Sequence, residues 1–87
     1  MISRVQFVGD MLAWINVRLA PPGVTVHAQT PLFASGVVSS IKVLDLIAWT
    51  ERAIGREVAD TEIRLDNFRT VARIADFFVE DETHAIV

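Results

Sequence analysis

The amino-acid sequence predicts an all-α fold, a bundle of three longer helices plus one short helix, with a long loop after the first. Three observations carry this expectation. Apolar residues recur at three- and four-residue steps in three separate stretches. Serine, threonine, proline and glycine stand where those stretches begin and end, as helix punctuation requires. No alternating run is long enough to make a convincing strand.

The first helix is expected from about Ser3 to Leu19. Val5, Val8, Leu12, Ile15 and Leu19 build one apolar stripe, and Ser3 is placed to cap it. Ala20-Pro21-Pro22-Gly23 stops it, because proline does not continue a helix and disfavours helical backbone in the residue before it. A connection then runs from Pro21 to Val38. Val24 and Val26 alternate with polar residues over too few positions for a strand. Thr30-Pro31-Leu32-Phe33 reads as a cap followed by proline at the first helical position, which predicts a single turn. Leu32 and Phe33 are expected to pin this loop to the core, and such anchors favour a functional loop over a disordered one.

The second long helix is expected from about Ser39 to Ile54, capped by Ser39 or Ser40 and ended by a left-handed Gly55. Val43, Leu46, Ile47, Thr50 and Ile54 form one stripe, and Ile41, Leu44 and Ala48 form another. A helix packed on one side needs only the first. The second is either a surface kept apolar for a partner or a face buried by a second neighbour, and periodicity does not separate the two. Val58, Ile63 and Leu65 then mark an irregular stretch in which Asp60 or Thr61 caps one further turn. The last helix is expected from about Asn67 to Val79, with Val71, Ile74, Ala75 and Phe78 inward and Phe68 buried at its start. Residues 1–79 are read as a single domain, and 80–87, opening with Glu80-Asp81-Glu82, as an acidic, frayed tail.

Composition narrows the function. At 87 residues and 52% hydrophobic content, one small self-sufficient core is expected. The absence of cysteine rules out disulfides and thiolate chemistry and suits a reducing cytoplasm. Arg4, Gln6 and Asp10 break up the N-terminal apolar residues, and no apolar run approaches the roughly 20 needed to span a bilayer, so neither a leader nor a membrane is expected. Net charge is -3 and the 8 basic residues are scattered, which argues against nucleic acid.

Catalytic groups do not converge in this sequence. His27 and His84 have no partner at metal-ligand spacing, so no metal site is expected. Asp45 and Glu51, six residues apart on one helix, point to different sides. Asp60, Glu62 and Asp66 read as caps and solvated charges. Nothing in the spacing brings His27 to Ser39 or Ser40 as a base, and the four glycines form no phosphate loop. The chain is therefore not expected to be an enzyme. Trp14 and Trp49 read as packing residues.

The stretch Ser35-Gly36-Val37-Val38-Ser39-Ser40-Ile41 stands apart: a flexible glycine, two valines, then paired serines opening an amphipathic helix. On spacing alone it is an ordinary loop ending in a serine cap. A serine at a helix start is nonetheless well placed for a phosphate, which the backbone N–H groups and helix dipole favour.

Leu32-Phe33-Ala34-Ser35-Gly36-Val37-Val38-Ser39-Ser40-Ile41, followed by Lys42-Val43-Leu44-Asp45-Leu46-Ile47, resembles the attachment motif of the phosphopantetheine-binding acyl and peptidyl carrier proteins. Ile63-Arg64-Leu65-Asp66-Asn67-Phe68-Arg69-Thr70-Val71 is similar to that family's lead into its final helix, and the likeness covers roughly Thr30 to Phe78. The resemblance implies an acyl-carrier-protein-like bundle with 4'-phosphopantetheine, donated by coenzyme A, on Ser40. It implies that the protein holds an acyl or aminoacyl thioester on that arm. The implied partner-facing residues are Ser39, Ile41, Lys42, Leu44 and Ala48. The implied partners are a phosphopantetheinyl transferase, an adenylating acyl or aminoacyl ligase and downstream enzymes, met by a monomer.

Two departures from the family pattern stand out. Ser39 replaces the aspartate that precedes the serine in relatives, an acid thought to help the transferase hold its magnesium and position the serine. It also places a second hydroxyl beside the first, and register with Ile41 and Asp45-Leu46-Ile47 favours Ser40. Lys42, Asp45, Glu51 and Arg52 give the second helix two charges of each sign, unlike the strongly acidic carriers of fatty acid synthesis. Together with the spacing from Gly36 to Ser40, this looks closer to stand-alone aminoacyl or peptidyl carriers. The alternative is an unmodified helical adaptor of the same fold, binding a partner through the second helix.

Overall fold

A computed structural model describes residues 2–79. It contains three α-helices, α1 (Arg4–Arg18), α2 (Val43–Ile54) and α3 (Val71–Phe78), with two short 3-10 turns, Asp60–Glu62 and Leu65–Phe68, between the second and third. No strand occurs among the described residues. The acidic tail expected at 80–87, with His84, lies outside them.

Helix α1 starts as its sequence predicts, with the Ser3 hydroxyl accepting the Gln6 N–H at 3.1 Å. Its buried face differs from the expected stripe. Phe7, Met11, Ile15 and Leu19 are buried, Val8 and Leu12 lie half-buried beside them, and Val5 is 84% exposed. Val5 sits two residues, roughly 200° of helix, from Phe7, so the two cannot share a face. The choice follows from size, since burying a phenylalanine removes more apolar area from water than burying a valine.

Helix α2 begins at Val43 rather than Ser39, and its end matches expectation: Gly55 adopts φ 74° and donates to the Glu51 carbonyl at 2.9 Å. Helix α3 begins at Val71 rather than Asn67, because Thr70 is extended and its hydroxyl accepts the Arg73 N–H at 3.0 Å. That local bond ends the preceding 3-10 turn and starts a new helix.

The loop between α1 and α2 belongs to the core. Val26, Leu32, Val37 and Val38 are buried in one cluster with Phe7, Met11 and Ile15 of α1, Leu46 and Ile47 of α2, and Val71, Ile74 and Phe78 of α3. Each such side chain contributes about 1.5–3 kcal/mol by leaving water. Backbone bonds fasten the loop to the last helix: Ala72 N–H donates to the Ala28 carbonyl, and Leu32 N–H to the Arg69 carbonyl, both at 2.9 Å. Asn16 holds it from the other side. Its amide oxygen accepts the Val26 N–H at 2.7 Å, and its amide nitrogen donates to the carbonyls of Val26 and Leu12 at 3.1 and 2.9 Å. The expected turn at Pro31 forms, but Thr30 does not cap it. The Thr30 hydroxyl accepts the His27 N–H instead, at 2.8 Å.

The two tryptophans join α1 to α2. Trp14 stacks on Trp49 with centroids 5.9 Å apart, and Trp49 meets Phe7 edge-on at 5.5 Å. An ion pair between Arg4 and Asp76 links α1 to α3.

Candidate functional site

The paired serines are launched from a closed turn whose two ends are buried. Ser35 N–H donates to the Pro31 carbonyl at 3.0 Å and Gly36 N–H to that of Phe33 at 3.1 Å. Gly36 has φ 81°, a left-handed geometry that glycine adopts without steric cost and that reverses the chain. Val38 N–H then returns to the Leu32 carbonyl at 3.0 Å, with Leu32, Val37 and Val38 all buried. The residues that follow thus leave a fixed base.

Ser39 winds the next turn. Its carbonyl accepts the Val43 N–H at 3.0 Å, and its hydroxyl accepts the Lys42 N–H at 3.3 Å. These are the two bonds of an N-cap, so of the two serines it is Ser39 that caps this turn, while regular α2 follows from Lys42 with no side-chain cap of its own. Ser40, Ile41 and Lys42 form a loose first turn before regular α2, with Leu44 N–H on the Ile41 carbonyl at 3.2 Å and Asp45 N–H on that of Lys42 at 3.1 Å.

Ser40 is exposed, and among the described residues its hydroxyl enters no hydrogen bond. The backbone N–H groups of Ser40 and Ile41 likewise have no acceptor among the described residues. An exposed hydroxyl beside two open donors at a helix start suits a phosphodiester, whose charge those donors and the helix dipole favour.

The apolar stripe after Ser40 stays open. Ile41 is 80% exposed and Leu44 65%, and Ala48 and Lys42 are exposed as well. Leu46, Ile47 and Thr50 turn inward, with the Thr50 hydroxyl donating to the Leu46 carbonyl at 2.8 Å. Of the two readings that periodicity left standing, burial by a second neighbour is therefore excluded within the described residues.

Electrostatics around α2 are sparse. Glu51, read from sequence among the charges of the helix surface, is half-buried and accepts the Val58 N–H at 2.8 Å. Asp45 remains the exposed acid of α2, next to the exposed Lys42. Farther along, Arg56 grips both oxygens of Glu62 at 2.9 and 3.1 Å, and the Ala59 N–H donates to the same carboxylate at 2.8 Å. The guanidinium first and the amide second hold the Glu62 carboxyl below its ordinary value.

His27 is exposed, and its backbone N–H is committed to Thr30; no hydrogen bond joins it to either serine. No described helix is long and apolar enough to cross a membrane. Among the described residues, no three His, Cys, Asp or Glu side chains gather where they could hold a metal ion.

The sequence profile of a family described as phosphopantetheine attachment site matches residues 10–78, well over half the chain, from within α1 to the end of α3. No curated protein matches the chain at a significant level.

Proposed function

Because the chain belongs to the phosphopantetheine attachment-site family, whose members are non-catalytic carriers of covalently bound 4'-phosphopantetheine that present substrates to enzymes, we propose that Ser40 is its attachment residue. The observation that carries this is the division of labour between the serines. The Ser39 hydroxyl is occupied by the Lys42 N–H, and the Ser40 hydroxyl is exposed beside two open N–H donors. When bound, the group supplies the thiol on which an acyl or aminoacyl cargo is held, which accounts for a carrier without cysteine.

The chain's own residues tether and present. Ser40 fixes the arm at one point of the fold, which turns successive encounters with enzymes into local, high-concentration events. Ile41, Leu44 and Ala48 form the docking face, flanked by Ser39 and Lys42. With Glu51 drawn onto the Val58 N–H, few acids remain along α2, and partners read this face through apolar contact more than through a basic patch of their own. This supports an aminoacyl or peptidyl carrier; on this reading it is modified by a phosphopantetheinyl transferase, loaded by an adenylating ligase and acts as a cytoplasmic monomer.

Ser40→Ala tests the assignment. Incubated with coenzyme A, magnesium and a broad-specificity transferase, the wild-type chain is expected to gain one phosphopantetheine mass and S40A none. An unchanged adduct on S40A would move the site elsewhere, and Ser39 would be the first residue to examine.

A further inference from the structure

Resting on the assignment of Ser40, we propose that Ser39 is a positioning residue for the modification reaction, doing by hydrogen-bond capping what needs no carboxylate at that place. In the transfer, the Ser40 oxygen forms a bond to the phosphorus of coenzyme A that carries the pantetheine arm. The pyrophosphate P–O bond breaks, adenosine 3',5'-bisphosphate leaves, and the hydroxyl proton passes to a base of the transferase. The nucleophile is delivered from a turn that regular α2 does not include, since α2 proper starts three residues after Ser40. Two bonds from Ser39 hold that turn: its carbonyl on the Val43 N–H and its hydroxyl on the Lys42 N–H. Only the second depends on the side chain. Those bonds span Ser40 and Ile41, so the direction in which Ser40 leaves the turn is set by Ser39. The cap also leaves the N–H groups of Ser40 and Ile41 without an internal acceptor, open toward the incoming phosphate.

A hydroxyl bond of the same spacing occurs at α3, where Thr70 caps the helix and its hydroxyl accepts the Arg73 N–H. Thr70→Ala therefore removes an equivalent bond away from the site and controls for loss of stability alone. The experiment follows the initial rate of phosphopantetheine incorporation by intact-protein mass, with fragmentation to locate the adduct, beside thermal unfolding of each variant. Ser39→Ala is expected to slow incorporation at Ser40 by roughly fivefold, the size of a lost cap. Ser39→Asn and Ser39→Asp, both cap-competent, are expected to restore it to within about twofold, while T70A modifies at the wild-type rate despite a comparable loss of stability. A wild-type rate for S39A, an equal slowing in T70A, or rescue by Asp and not by Asn would each overturn the proposal while leaving Ser40 as the site. An adduct on another residue, or none on the wild-type chain, would overturn the Ser40 assignment and the positioning role with it.

Discussion

Replacing Asn16 by Ala removes three hydrogen bonds at once and leaves the Val26 N–H without its acceptor against a buried residue. The expected cost is about 1–3 kcal/mol, read as a lowered thermal midpoint, with the loop between α1 and α2 the first region to gain amide exchange. An unchanged midpoint would mean that the loop is held by its apolar anchors alone. Nothing in the sequence singles out Asn16. It is one polar residue in an apolar stretch, and its partner lies ten positions away on an irregular segment whose path no periodicity encodes. Glu62 gives a pH signature. Its folded-state carboxyl titrates below the ordinary value of 4.5 because Arg56 and the Ala59 N–H favour the charged form. Its stabilisation is therefore fully present above that value and is lost as pH falls through the lowered one. Glu62→Gln is expected to be less stable than wild type at neutral pH, with the gap closing below about pH 4.5. A constant gap across that range in thermal unfolding would contradict the ion pair's role.

At the scale of elements, α2 separates folding from recognition along its two stripes. Leu44 is 65% exposed, so Leu44→Asp removes little core and is expected to alter stability by less than about 0.5 kcal/mol. It should nonetheless weaken capture by a loading enzyme, read as a raised KM for the carrier. Unchanged loading kinetics would remove this stripe from the docking face. The elements also differ in how far the sequence discloses them. The Ser3 cap, the Gly55 stop and the inward stripe of α2 are all legible, because each is a local rule with one solution. The phase of α1 is not, because Val5-Val8-Leu12 and Phe7-Met11-Ile15 are both helical spacings, and only the bulk of Phe7 against Trp49 selects the second. The start of α3 falls later than periodicity suggests for a related reason: the Thr70 hydroxyl caps the helix there, while apolar spacing runs on through the boundary.

Across the whole molecule, the long loop is what makes one core from three short helices. It contributes Val26, Leu32, Val37 and Val38 to the cluster shared by α1, α2 and α3, and the last two of these lie directly before the serines. The site is thus anchored in the same cluster that folds the chain. Its motif was legible in the order of residues from Leu32 to Ile47. What the sequence left open was which serine caps and which is presented, since that depends on where the Lys42 N–H points. The most direct test is the intact mass of the wild-type chain after incubation with coenzyme A, magnesium and a phosphopantetheinyl transferase, with fragmentation across residues 35–45. The account predicts a single phosphopantetheine adduct confined to Ser40. An adduct on Ser39, or no adduct with several transferases, would contradict it.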